Sequence, residues 1–450
     1  MASLKRLSGL LWALSLTVSL QIHLAHGQDN NAEDAGEEVT YLTGTRTDVS
    51  ISNPPPTSLY QTPSTRVTIA TTTLPTDLGE LTANATDITA SPNTVTYITG
   101  SVTTSSPADT ATSADDSPPR PTNTRPCNNY PELCERKYSN ITQVGAHNSP
   151  FVRAGSAASN QQFPVTDQLN DGVRFLQAQI QWPANGTVPH LCHTSCDMLD
   201  AGPLTDWLRE VRDWVAAHPY DVVTVLLGNG NYSKPDLYAP HIEASGILRY
   251  VYHPHVVPLA RDDWPTLAQL ILSGQRVVMF LDYVANQTAY PWLLDQFTHM
   301  WETPFDPVDD SFPCTVDRPP GLGREQARNE RLYMMNHNLN VEVSLLGQEI
   351  LVPAVSQLNV TNAAEGRGSL GMAANNCRSE WGRPPNVLNV DYYNFGNYPG
   401  SVFEVAAKMN NVSFERRSCC GPQPSFGVRV EVLRAAVWIG LGWMMVWWLA

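Results

Sequence analysis

A chain of 450 residues with 42% apolar content has material for one large domain plus appendages, and a net charge of −15 disfavours a nucleic-acid partner, which would call for a basic face. Any phosphate site must therefore be local. The chain opens with Lys5 and Arg6, an apolar run from Leu10 to Leu20, and small residues at Ala25-His26-Gly27. This is the layout of a secretory signal over residues 1–27, and the run is too short to span a bilayer. Seven Asn-x-Ser/Thr acceptors, at Asn84, Asn140, Asn185, Asn231, Asn286, Asn359 and Asn411, and an even set of eight cysteines fit a glycosylating, oxidising route. Pairing cysteines close in sequence gives Cys127 with Cys134, Cys192 with Cys196 and Cys314 with Cys377, leaving Cys419 and Cys420 unassigned. Cys192-x-x-x-Cys196 has a spacing that could hold zinc, but no second Cys/His pair matches it, and no metal is expected.

Residues 28–126 read as a disordered stalk. Between Tyr41 and Pro126 there are 33 Ser or Thr and 11 Pro in 86 residues, with Arg46, Arg66, Arg120 and Arg125 the only basic side chains. Such a tract cannot bury enough apolar surface to offset its ordering entropy, and in a secreted chain it reads as O-glycosylated. Val67-Thr68-Ile69-Ala70 could pair as a strand, but nothing in the sequence nearby would cover it.

A folded domain is expected over residues 127–417. Strands are predicted at Ile141–Ala146, Val173–Gln181, Asp221–Leu227, Arg276–Tyr283, Arg331–Asn336 and Asn386–Tyr392, with helical stretches between them. That alternation implies right-handed crossovers and a parallel sheet. The clearest helix is Pro203–Ala217, where Leu204, Trp207, Leu208, Val211 and Val215 share a face and Pro203 suits the first turn. Val222 to Leu227 is almost continuously apolar, as a strand covered on both faces should be. Pro265–Ser273 and Gly400–Met409 look like covering helices. No internal repeat or Walker loop is present, and a closed α/β barrel of TIM type is the predicted fold. Residues 418–450 end in an uncharged apolar stretch from Ala435 to Ala450 with no basic stop. This reads as a tail exchanged for a glycolipid anchor, with an ordinary membrane anchor as the alternative.

The chemistry-bearing residues cluster at predicted strand ends. Ile141–Ala146 delivers His147 and Asn148 at its C-terminal end, where a barrel places its site. Alternation puts Gln177, Gln179 and Gln181 on one face, and three amides suit a polar mouth, not an apolar packing face. His193 sits within the small Cys192–Cys196 loop. If His147 and His193 face each other they form an acid/base pair, one taking a proton from an attacking hydroxyl and the other giving one to a leaving oxygen. Asp391, at the end of another strand, could orient His147 or cap a turn. Asp282 and His337 stand at two further strand ends. Trp182, Trp292, Trp301 and Trp381 are expected to pack. Arg174 falls on the opposite strand face from the glutamines, which makes it structural.

Gly145-Ala146-His147-Asn148-Ser149, Gly172-Val173-Arg174-Phe175-Leu176 and His193 resemble the X domain of phosphatidylinositol-specific phospholipase C. Leu191 to Asp197, Trp301-Glu302-Thr303-Pro304-Phe305, Phe312-Pro313-Cys314 and Val390-Asp391-Tyr392-Tyr393 resemble the secreted fungal phosphodiesterases of that superfamily. The resemblance covers roughly Cys127 to Asn411. It implies a TIM-type barrel, often irregular, that cleaves a phosphodiester. His147 would be the base for an inositol 2-hydroxyl, and His193 the acid for the diacylglycerol oxygen. Asn148 sits where calcium-dependent relatives place a metal-binding Asn. The family also places charged residues on the second strand, two carboxylates or an Asp and an Arg, where this chain has Gln177 and Gln179. Neutral amides make a poor calcium site and offer no positive charge to a phosphorane, so calcium is not expected unless Asp391 or Asp282 contributes, and no other cofactor is predicted.

The sequence thus favours a phosphodiesterase of the extracellular face or cell wall, acting on an inositol phospholipid or glycerophosphodiester. Its membrane contact would be the C-terminal anchor, and Asn148, Gln177, Gln179, Asp282, His337 and Asp391 would line the substrate. The alternative is a non-catalytic barrel kept for surface binding, for which the Gln177/Gln179 pair is the mark. A glycosidase would need Asp282 and Asp391 as its two carboxylates, against the resemblance.

Overall fold

The computed structural model describes residues 56–60, 66–69, 126–153, 156–345 and 348–414. The expected signal, most of the stalk, Cys419, Cys420 and the apolar tail lie outside them. Among the described residues, no helix is long and apolar enough to cross a membrane.

In chain order the strands are β1 (Val67–Thr68), β2 (Gln143–Ala146), β3 (Phe175–Gln181), β4 (His190–His193), β5 (Leu199–Pro203), β6 (Val223–Asn229), β7 (Val256–Val257) and β8 (Val277–Leu281). They continue with β9 (Leu293–Asp295), β10 (Met300–Glu302), β11 (Leu332–Asn336), β12 (Asn340–Leu345), β13 (Gln348–Pro353) and β14 (Val387–Val390). All six predicted strands form, five of them shorter than their sequence reading and the third, Val223–Asn229, equal in length but shifted two residues along. The main sheet runs β10-β11-β14-β2-β3-β6-β8-β9 with every pair parallel, and β4 and β5 hang from β3 as an antiparallel appendage. The expected closed barrel is instead a curled half-barrel, because β9 and β10 do not pair. The short helix Gln296–His299 joins them directly and leaves no length for a ladder at that seam.

Helices cover the outer face. Leu204–Ala217 buries Leu204, Trp207, Leu208, Val211, Trp214 and Val215, with Pro203 as its N-cap. Leu267–Leu272, Leu370–Trp381 and Ser401–Asn410 add cover elsewhere. β6 is buried at every position, as its apolar run requires. Arg174 is buried in an ion pair with Asp221 at 2.7 Å beneath Trp214. Three disulfides join the expected partners, Cys127–Cys134, Cys192–Cys196 and Cys314–Cys377. The second of these removes both thiolates from any zinc site.

Strand alternation sorts the inward face into two levels. Phe175, Val278, Phe280, Met300, Met334 and Val387 belong to one apolar cluster that fills the lower half of the sheet's concave side. Two residues further along, the same rows turn polar: Gln177 after Phe175, Asp282 after Phe280, Glu302 after Met300, Asn336 after Met334, and Asn389 then Asp391 after Val387. His147 follows Gly145 on β2 in the same way. The polar level therefore lies at the C-terminal strand ends.

The stalk is not wholly separate from this domain. The sequence leaves Val67–Ala70 uncovered; in the structure β1 pairs antiparallel with β7, and Arg66 meets Asp263 at 2.6 Å. The Tyr60 ring packs 5.4 Å from Tyr283 and 4.9 Å from Phe297, beside the unpaired seam.

Candidate active site

His147 is the first residue past β2 and is buried at 4% exposure. Its Nδ1 lies 2.8 Å from Asp391 Oδ1, and Asn160 Nδ2 donates to that same oxygen at 2.9 Å. β14 and β2 are adjacent parallel strands paired Val390 with Ala146, so one residue further on each chain places this pair side by side. Burial pulls the His147 pKa down, but the Asp391 charge and hydrogen bond outweigh it and the net shift is upward. The carboxylate thus fixes the imidazole with Nε2 as its other face.

His193 ends β4, on the appendage held by β3. The Cys192–Cys196 bridge closes its loop, Gln181 Nε2 donates to the carbonyls of Cys192 and Thr194, and the ring meets Phe151 edge-on at 5.2 Å. Among the described residues no carboxylate hydrogen-bonds it, and Asp391 acts on it only through its charge. Burial, and then repulsion from His147, lower its pKa to about 4, which also places the two histidines within electrostatic reach of each other. Gln181 is the exception among the three amides. It braces the His193 loop from outside the polar level, because β3 at that point pairs with β4 (Gln181 opposite His190).

Gln177 and Gln179 do face inward. Gln177 Oε1 accepts from Asn389 Nδ2 at 2.9 Å, reaching across β2. Gly145 makes this crossing feasible: a Cβ there would lie 3.3 Å from Asn389 Oδ1 and 2.9 Å from Val387 Cγ1. Gln179 lies over Gly228, where a Cβ would stand 2.1 Å from its Oε1. Asn148, left-handed with φ 47°, is buried with an Oδ1 that has no partner among the described residues.

The network continues beyond the predicted site residues. Asn389 Nδ2 also donates to Asn336, whose Nδ2 donates to Glu302 at 3.1 Å. Glu302, itself fully buried, takes a hydrogen bond from Gln296 across the seam and an ion pair from Arg318 at 2.5 Å. Arg318 also donates to the Tyr283 hydroxyl at 3.2 Å and lies 3.9 Å over the Phe305 ring. Asp306, on the loop after β10, is left-handed at φ 54° and lies within electrostatic reach of His147, Arg318 and Asp391. Burial holds its carboxyl up at about 6. Asp282 Oδ1 accepts the backbone N–H groups of Asn229 and Tyr283 at 2.7 Å each, and burial raises its pKa to about 7 despite them.

His337 does not join this level. It lies between Asn336 and Asn338, so alternation turns it outward; it is fully buried, with Nε2 2.9 Å from the Thr361 carbonyl and its ring against Phe312. The four tryptophans pack: Trp182 stacks on Tyr238, and Trp292, Trp301 and Trp381 are buried.

The donors do not fit a calcium ion. Gln177 Oε1 is committed to Asn389, the remaining second-strand oxygen on Gln179 is neutral, and among the described residues no group of three or more Asp, Glu, His or Cys could hold a metal. What the arrangement can do is move protons, through a carboxylate-oriented imidazole and a second, uncharged imidazole beside it.

The PI-PLC X family model matches residues 133–410. An uncharacterized secreted protein of Arthroderma benhamiae is 53% identical over 329 residues, 73% of each chain. A PI-PLC X domain-containing protein 1 of the same fungus is 41% identical over 288 residues, covering 64% of this chain and 90% of the relative. Among solved structures, the phosphatidylinositol-specific phospholipase C of Listeria monocytogenes overlays with a TM-score of 0.40 at 12% identity, over 62% of this chain and 96% of that one.

Proposed function

The chain belongs to the PI-PLC X family, and from that premise we propose that it is a phosphoric diester hydrolase using His147 and His193 as its acid/base pair. The observation that carries this reading is the buried His147–Asp391 pair at 2.8 Å with His193 in electrostatic reach. His147, oriented by Asp391, takes the proton of an attacking hydroxyl; His193 protonates the departing oxygen. The substrate is an inositol phospholipid or a glycerophosphodiester, and no resident metal takes part.

The pH profile tests the assignment. The productive form needs His147 neutral and His193 protonated, whereas in the free protein His193 is protonated only below about 4 and His147 is neutral only above its raised pKa. kcat/KM is therefore expected to be flat on the acidic side of neutrality, falling below about pH 4 and again above the His147 pKa. Asp391→Asn removes the group that raises His147 and moves the alkaline limb to lower pH. A limb that stays put in that variant dissociates Asp391 from the titration, and no release of cyclic or linear phosphate from any diester defeats the catalytic reading.

The secretory signal over residues 1–27, and a relative that is named as secreted, support export. We place the domain of residues 127–417 outside the cell, held by a glycolipid exchanged for the tail of residues 418–450. Treating intact cells with a bacterial inositol phospholipase is expected to release it into the medium; retention on the cells would instead favour a spanning tail.

A further inference from the structure

The polar level has two unlike sides. On the β2–β4 side stand the two imidazoles and neutral amides. The other side, formed by the ends of β8, β10 and β11 with the loop after β10, carries the carboxyls of Asp282, Glu302 and Asp306 against one guanidinium, Arg318. Arg318 is committed to Glu302 and to the Tyr283 hydroxyl. Asp282 and Asp306 have no ion-pair partner among the described residues, whereas Asp391 on the neighbouring strand is paired with His147.

Asp306 is the more telling of the two. It is half-buried, accepts no hydrogen bond from any described residue, and is held in a left-handed backbone conformation that costs a non-glycine residue energy. Its loop is clamped at both ends: the backbones of Glu302 and Arg318 bridge at the neck, and Cys314 is tied to the helix Leu370–Trp381 by its disulfide. The carboxyl is thus held in place without a hydrogen-bond partner among the described residues.

A second orphan lies on the same side. Asn338 shares the inward parity of Asn336, is 2% exposed, and has neither amide end partnered among the described residues. A buried amide without partners is left desolvated, a cost that a ligand can relieve.

We propose that this side of the mouth binds a primary ammonium group on the substrate's head group, with Asp306 as its counter-ion and the Asn338 carbonyl as a further acceptor. Recognition of this kind rests on the diesterase reading for the phosphate but not on turnover. A quaternary ammonium fits less well, because the Phe305 face that could receive it is covered by Arg318 and it has no N–H to donate. A second phosphate on the head group is repelled by Asp306 and Asp282. Burial has raised both carboxyls, to about 6 and about 7, so an arriving ammonium supplies the charge that favours their ionised forms.

Calorimetric titration of the full secreted chain with O-phosphoethanolamine, phosphocholine and inositol 1-phosphate separates these ligands without needing catalysis. O-phosphoethanolamine is expected to bind at least tenfold more tightly than either of the others. Asp306→Asn brings the three within about threefold of one another, while Asp306→Glu, which keeps the charge, retains the preference. Equal affinities, tighter inositol 1-phosphate, no binding by any of the three, or a preference that survives Asp306→Asn overturns the assignment. If no diester is ever hydrolysed but the preference is found, the catalytic reading fails and this one stands.

Discussion

His147→Ala is expected to lower kcat/KM for diester cleavage by about 10²- to 10⁴-fold, the range for loss of a positioned acid or base. The effect should be large because His147 is the imidazole with a buried carboxylate behind it, and the neighbouring amides and second imidazole do not share that arrangement. Gln177 is tied to Asn389, Asn160 already donates to Asp391, and His193 stands without a carboxylate of its own. The measurement is an initial-rate series on purified variants, with thermal melts to show that the alanine chain is folded. Activity within a few fold of the parent would remove His147 from the mechanism. His193→Ala should cost most with a poor leaving group and least with an activated one such as a nitrophenolate, because only the former needs a proton as it departs.

The second large effect is on stability. Glu302→Ala is expected to destabilise the domain by about 3–5 kcal/mol, the usual cost of leaving one partner of a buried ion pair alone. One carboxylate here receives Arg318, Asn336 and Gln296, and its side chain is 1% exposed. Its loss strands a guanidinium and two amides at the place where the sheet has no ladder. Urea denaturation gives the number. Replacing both partners, Glu302→Gln with Arg318→Leu, should recover a good part of the loss. A change under about 1 kcal/mol in the single variant would show that the seam is held by packing alone.

Much of this was legible beforehand wherever periodicity carried the information. Six strands, three covering helices and the near-sequence cysteine pairs follow from alternation, 3.6-residue spacing and loop length. The inward row of Gln177 and Gln179 follows from parity. Parity also shows why His337 is no site residue: a strand end alone does not make a residue face the mouth, and Asn336 and Asn338 take the inward places on either side of it. Gln181 was misplaced because the antiparallel pairing of β3 with β4 begins there, which a one-strand pattern does not reveal. Glu302 sits on a three-residue strand, too short for any period. Arg318 reaches it through a backbone bridge spanning sixteen positions, and Asp306 stands on the intervening loop. Asn160 gave no local signal at all. The first three add charge to the site and Asn160 adds a neutral donor, and they come together only through the tertiary fold.

The docked stretch of the stalk changes how its composition should be read. Among the described residues of this stretch Tyr60 packs its ring, Arg66 forms an ion pair and Val67 opens the ladder that Thr68 and Ile69 continue through their backbones, and Ser, Thr and Pro fill most of the sequence around these first three. Substitution there should accordingly be uneven across related chains, with drift free at the small polar positions and resisted at those three. Trimming the chain at residue 126 on compositional grounds would strip the Tyr60 ring from Phe297 and Tyr283 and expose the one gap in the sheet. A protein made for crystallisation or assay is better begun ahead of residue 56, inside what looks like filler.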